Sequence, residues 1–395
     1  MSMTTRTAAL ISLAAAALST TMLAQHPTAS TLAEPFASPS ARNNTRVVPK
    51  PATAVLKTPY GFSVTTFADN LPGARTMVWS PNGDLFVAQS SVGTVTVLRG
   101  GDASARSAYA TGLENPFGLA FANGYLYVGE TTRVVRFKYQ PGDTKATGSP
   151  EKLVDLPAGG HITRNVIFNS GGTKMYVAVG SASNKDAGEP AVRAAVNEYN
   201  PDGTGGRVFA SGIRNPVGLT LQPGTNTIWV AVNERDTLGD DLVPDYVTSV
   251  KDGGFYGWPY SYIGSHPDPE HAGKMPALVA RAIVPDVLLQ AHSAALSVAF
   301  YTGTQFPQRF RGGAFVALHG SWNRAKATGY KVVFVPFQNG KPTGPVEDFV
   351  TGWLLTETPS TSWGRPASIA MSRDGSLLVA DDGGNKIWQV KSGNQ

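Results

Sequence analysis

The 395-residue sequence contains no cysteine. Disulfides, thiolate metal ligands and cysteine nucleophiles are excluded together, so any chemistry must come from His, Arg, Lys, carboxylates or a cofactor. Charge is scarce too: charged residues make up 15%, and 33 basic against 28 acidic side chains leave a net charge of +5 with no Lys/Arg run. So thin an excess points to no nucleic-acid partner. No long segment has helical periodicity, and no Ser-His-Asp order, phosphate-binding glycine loop or His-Glu-x-x-His helix is present. These absences argue against hydrolase, nucleotide-using and zinc-protease chemistry, and the six histidines are too dispersed along the chain for a dedicated zinc site.

What the chain has in plenty is glycine (43), proline (28) and hydrophobic residues (42%). That balance favours many short strands joined by turns. Residues 1–24 hold one cation, Arg6, then an Ala/Leu-rich run ending in small residues before Gln25. This is the layout of a secretory signal peptide, with a retained N-terminal anchor as the alternative. Residues 25–55, rich in Pro, Ala, Ser and Thr, read as an extended linker, and residues 56–395 as one folded domain. After signal cleavage no stable membrane span is expected, and the location is periplasmic or secreted.

A unit of apolar strand, Pro/Asn/Asp/Gly turn and second apolar strand recurs at 77–88 (MVWSPNGDLFVA), 118–129, 165–180, 218–232, 297–318 and 368–380. Third strands follow at 94–98, 134–139, 330–337 and 386–390, all with period-two alternation. Six copies of this length predict an all-β fold, a six-bladed β-propeller. Between the fourth and fifth copies, residues 236–285 predict an elaborated loop insertion over one face.

Polar clusters stand at the strand ends: Gly159-Gly160-His161-Ile162-Thr163-Arg164, Arg214-Asn215, Asn233-Glu234-Arg235-Asp236, His292, His319-Gly320-Ser321-Trp322-Asn323-Arg324 and Trp363-Gly364-Arg365. Ring closure would gather them in one axial funnel, where the arginines suit a polyanion, although each could instead form a surface ion pair. A histidine after two glycines, at a strand entry, is placed to act as a general base.

On the stretches LENPFGLAF (113–121), GGHITR (159–164), YVAVGSASN (176–184), SGIRNPVGL (211–219), NERDTLGDDLVPDY (233–246), GGFYGWPY (253–260), HGSWNR (319–324) and WGRPASIA (363–370), the chain resembles the soluble pyrroloquinoline-quinone-dependent sugar dehydrogenases. Gly160, His292 and HGSWNR align it with the sorbosone dehydrogenase-like branch. The resemblance implies an oxidoreductase that passes a hydride from an aldose or sugar aldehyde to pyrroloquinoline quinone, with calcium beside the quinone. It implies His161 and Arg214 as the catalytic residues. Arg214, Asn215, Arg235, His292, Trp322, Arg324, Trp363 and Arg365 are implied as cofactor contacts; the two tryptophans serve equally well as packing between blades. Calcium is implied in the turn Glu234, Arg235, Asp236, Thr237, held chiefly by carbonyls. Having no haem-attachment motif, the chain would hand electrons to a separate acceptor, a cytochrome or the quinone pool. The competing expectations are a calcium-dependent propeller lactonase and a non-catalytic, glycan-binding propeller.

Overall fold

The computed structural model describes residues 31–393 apart from 101, 102 and 104. The expected signal peptide, residues 1–24, lies outside the described residues.

The fold is all-β, and among the described residues the one α-helix is the four-residue Pro276–Val279. The described residues form six sheets of four or five strands that follow one another along the chain. The first runs Ala74–Trp79, Leu85–Gln89, Thr94–Arg99, Ala105–Ala110, and the second Leu119–Ala122, Tyr125–Glu130, Arg133–Lys138, Glu151–Asp155. The third runs Val166–Phe168, Met175–Val179, Ala195–Tyr199, Arg207–Ser211, with Gly254–Phe255 added in parallel. The fourth runs Asn215–Leu221, Ile228–Asn233, Pro244–Val250, Val287–Ala291, and the fifth Ala295–Phe300, Ala314–Leu318, Lys331–Val335, Glu347–Val350. The sixth has Pro366–Met371, Leu377–Asp381 and Lys386–Ser392, and takes its fourth strand, Phe62–Ala68, from the other end of the chain. The first strand of each sheet lies against the first strand of the next, and that of the sixth against that of the first.

Local chemistry makes the hairpins. Between Ala122 and Tyr125 the turn is Asn123-Gly124, both with positive φ (51° and 77°), the two-residue form whose twist matches paired strands. Period-two alternation does not hold for the second strand of the sheets. Leu85–Gln89, Met175–Val179, Ala314–Leu318 and Leu377–Asp381 are buried at every position. Neighbouring sheets cover both of their faces, which is the condition under which strands read as continuous apolar runs. Tyr176, Val196, Val230, Val232 and Tyr246 fill the layer between the third and fourth sheets, while Phe306, Phe310, Phe315, Phe334 and Phe349 pack between the fifth and sixth.

The gap at 236–285 holds Pro244–Val250, the third strand of the fourth sheet, before an excursion that carries Gly254–Phe255, the hairpin Ser261–Tyr262/His266–Pro267 and the short helix. Residues 31–55, read as a tether, are laid against the loops of one face. Phe36 N–H donates to Leu238 O, Asn43 N–H donates to Trp322 O, and Arg46–Val47 pairs in parallel with Ser360–Ser362. Among the described residues no helix is long and apolar enough to cross a membrane.

Candidate active site

In an antiparallel pair the start of the first strand lies beside the end of the second, so polar residues at those positions open on the same face of the molecule. They line a cavity of about 400 Å³ that brings together Arg75, His161, Arg214, Asn215, Glu234, Asp236, Asp245, His292, His319, Trp322, Asn323 and Arg365.

His161 sits in the irregular segment between the second and third sheets. Its Nδ1 is 2.9 Å from Ser181 O, so it donates there and leaves Nε2 with the free lone pair and, among the described residues, no hydrogen-bond partner. Burial, helped by the nearby Arg214 guanidinium, lowers its pKa to about 4, so the ring is neutral at pH 7. Gly180 makes room for it: a Cβ there would lie 2.5 Å from Asn215 Oδ1 and 2.7 Å from His161 Cβ. Asn215 Oδ1 is buried without a hydrogen-bond partner.

Arg214 is held by five contacts. Its Nε donates to Asn184 O, its Nη1 to the carbonyls of Asn233 and Glu234, and its Nη2 to Asn184 Oδ1 and Asp236 Oδ2. Asn323 Nδ2 donates to the other oxygen of Asp236 (2.6 Å) and lies 3.0 Å from His292 Nδ1. Burial would raise the Asp236 pKa, but Arg214 and His292 outweigh it and hold the carboxyl below its usual value. At Glu234 and Asp245 burial outweighs the backbone donors and the nearby Arg214 and His292, and pushes them up to about 8 and about 6.

The opposite wall is cationic. Arg75 pairs with Asp382 at 2.8 Å, and His319 Nε2 lies 2.7 Å from the other oxygen of Asp382. Arg365 donates from Nε and Nη2 to the carbonyls of His319 and Gly320. Burial, with Arg365 adding to it, lowers the His319 pKa to about 4. Trp322 stands at the mouth, 46% exposed.

Of the residues expected from the sequence, His161, Arg214, Asn215, Glu234, Asp236, His292, Trp322 and Arg365 meet in this cavity. Four do not line it. Arg235 is buried against Asp268 and Glu270. Arg324 pairs with Asp241. Trp363 is buried beside Trp353 and Trp388 and donates to Gly352 O. Thr237 Oγ1 accepts weakly from Asn184 and Arg235. The three histidines His161, His292 and His319 converge here despite their spacing in sequence, yet among the described residues no group of three or more His, Asp or Glu is disposed to hold a metal. Sequence reasoning missed Arg75, Asp245 and Asp382 as site residues; Arg75 and Asp382 stand at strand ends without a motif around them, and Asp245 lies in the stretch 233–246, of which only the turn 234–237 was singled out.

The family model TrAA12-like matches residues 56–244 and 278–393. The pyrroloquinoline quinone-dependent sugar dehydrogenase of Hypocrea jecorina is 24% identical over an alignment covering 84% of this chain and 88% of its own. Among solved structures, the calcium structure of a Trichoderma reesei Carbohydrate-Active Enzymes family AA12 protein superposes with a TM-score of 0.75 at 21% identity, over 89% of this chain and 99% of that one. The holo form of the pyranose dehydrogenase PQQ domain from Coprinopsis cinerea gives 0.73 at 22% identity, over 87% and 98%. The chain belongs to the TrAA12-like family, and so to the pyrroloquinoline-quinone-dependent sugar dehydrogenases that its motifs resemble.

Proposed function

We propose that the protein is an exported oxidoreductase, a six-bladed propeller that oxidises an aldose or sorbosone-like sugar aldehyde with bound pyrroloquinoline quinone and calcium. The observation that carries this reading is the neutral His161, anchored through Nδ1 to Ser181 O, facing the same cavity as three guanidiniums, those of Arg75, Arg214 and Arg365.

The residues fit the quinone. A tricarboxylate needs cations and donors, and Arg75 and Arg365 supply them on one wall, where a planar guanidinium suits a carboxylate. Pyrroloquinoline quinone, when bound, supplies the two-electron acceptor. His161 Nε2 takes the hydroxyl proton of the sugar or of the aldehyde hydrate, a task that requires an unprotonated ring. Arg214 presents positive charge to oxygen that becomes negative as the reaction proceeds. Trp322 offers an exposed apolar face to a sugar ring at the mouth.

Calcium takes oxygen ligands. The carbonyls of Asn233 and Glu234 and the carboxylate of Asp236 would be the ones to hold it, and Arg214 contacts all three in this structure. Electrons would then pass to a separate carrier, a cytochrome or membrane quinone.

The test is reconstitution of apo-protein with pyrroloquinoline quinone and calcium, following quinone absorbance and dye reduction across a panel of aldoses and sugar aldehydes. Uptake of the quinone and its reduction by at least one sugar supports the reading. Failure to bind the quinone, or bound quinone that no sugar reduces, overturns it.

A further inference from the structure

The segment that carries His161 has no strand partner of its own, since residues 156–165 are irregular. The carbonyls of Pro157, Ala158, Gly159, His161 and Thr163 nevertheless have partners, and those partners are two buried arginines, while Ile162 O accepts from Thr131 Oγ1. Arg164 Nη1 donates to His161 O (2.6 Å) and Thr163 O (2.9 Å), and its Nη2 donates to Pro157 O (3.0 Å). Arg193, which lies between the second and third strands of the third sheet, donates from Nη2 to the carbonyls of Pro157, Ala158 and Gly159, and from Nη1 to Gly180 O. Arg164 is fully buried and Arg193 is 5% exposed. Neither has a carboxylate partner among the described residues.

This arrangement is costly. Two like charges lie close together in the interior, and burial plus the presence of Arg193 brings the Arg164 pKa down to about 10. Buried cations are ordinarily paired with anions. Here they bind backbone carbonyls instead, all but Gly180 O on one loop, and Pro157 O accepts from both. The backbone of Arg164 is itself seated tightly: Gly118 N–H donates to its carbonyl, and a Cβ at Gly129 would come within 2.2 Å of that oxygen.

We propose that Arg164 and Arg193 are positioning residues, a buried carbonyl-binding brace that fixes the loop presenting His161 to the cavity. The proposal rests on His161 being the base of the proposed reaction, but the fixing of the loop is measurable without that reaction. Arg193→Met and Arg164→Met remove the donors while keeping an unbranched side chain; the carbonyls left unpaired lower stability as well, so a denaturation curve of each variant is read beside the loop measurements to separate bracing from bulk stability.

The groups that face the His161 ring are Arg214 and Asp236 across the cavity, Arg164 beneath it, and Ser181, whose carbonyl and hydroxyl both lie near Nδ1. In apo-protein of each variant, hydrogen exchange of the peptide spanning 157–163 and the ring titration of His161 by NMR are compared with wild type. The expected result is faster exchange in that peptide and a changed titration, with the rest of the exchange map unaltered. In reconstituted enzyme, kcat falls about 10²-fold through misplacement of the base, while quinone affinity and KM hold. Arg193→Lys, which keeps charge but has no planar fork, restores loop protection only in part and serves if the Met variant does not fold. Wild-type loop exchange and ring titration in a folded Arg193→Met or Arg193→Lys variant overturns the proposal. Faster loop exchange in variants, together with a wild type that oxidises no sugar, supports the brace while overturning the dehydrogenase reading.

Discussion

His319 and Arg75 share one carboxylate: the Nε2 of His319 lies 2.7 Å from Oδ1 of Asp382, and Arg75 Nη2 lies 2.8 Å from Oδ2. Burial would raise the Asp382 pKa, but His319 and then Arg75, with Arg365 behind them, outweigh burial and hold the carboxyl well below its usual value. A depressed carboxyl stabilises the fold above its unfolded pKa, and that contribution disappears as pH falls through the folded value. Asp382→Asn should therefore cost about 3 kcal/mol at pH 7, as expected when one partner of a buried ion pair is removed. The deficit should shrink below about pH 4, near the unfolded carboxyl pKa. Urea denaturation of both proteins at pH 7 and pH 3 checks it; an equal deficit at both pH values contradicts the assignment.

His161→Gln should lower turnover by about 10²–10⁴-fold with quinone affinity nearly intact, because a base acts on the sugar. The base must be neutral to work, and its pKa is lowered to about 4. Wild-type kcat/KM should accordingly stay level from pH 7 down to about pH 5 and fall below that. Steady-state rates in this range, beside a quinone titration of the variant, provide the measurement.

Arg365→Lys and Arg75→Lys should each weaken quinone binding by roughly 10- to 100-fold, matching the loss of one charge-assisted hydrogen bond at about 1.5–3 kcal/mol. Arg324→Lys should leave quinone affinity unchanged, since Arg324 is directed at Asp241. Parallel equilibrium titrations of the three variants decide it, and equal losses in all three would misplace the cofactor.

Asn43 ties two loops together through its side chain: Nδ2 donates to Ala325 O and Glu357 O, and Oδ1 accepts from Ser360 N–H. Asn43→Ala should lower stability by about 1–3 kcal/mol, the net worth of a few hydrogen bonds. Guanidinium denaturation measures the loss. Because the neighbouring Asn43 N–H donates to Trp322 O, Trp322 fluorescence in the native state should also change.

The strand repeats were legible because turn chemistry and apolar runs are local properties, written within a dozen residues. The site was legible where a cluster sits at a strand start, as with His161, Arg214 and Arg365. Side-chain direction was not. Arg164 and Arg365 look alike in sequence, each next to a strand, yet Arg164 turns beneath its loop while Arg365 reaches the cavity wall. Asp381 and Asp382 are consecutive, but Asp381 accepts from the indoles of Trp353 and Trp388 inside the sheet, whereas Asp382 faces Arg75. Such choices depend on the neighbouring sheets, which no local pattern encodes. Arg75 escaped notice for the same reason, since its partner lies more than 300 residues away, at Asp382.

The sixth sheet joins Phe62–Ala68 to Lys386–Ser392, with Phe62 opposite Ser392. These hydrogen bonds complete the sixth sheet with strands far apart in sequence: removing Phe62–Ala68 leaves Lys386–Ser392 as a bare sheet edge, which invites pairing with another molecule. The same pairing also places the two strands where a short peptide could join them. Reordering the chain by linking 393 to 61 and opening it at an exposed hairpin such as Asn123-Gly124 would keep the six large sheets, at the loss of the Arg46–Val47 strand, and would turn the seam into an ordinary hairpin.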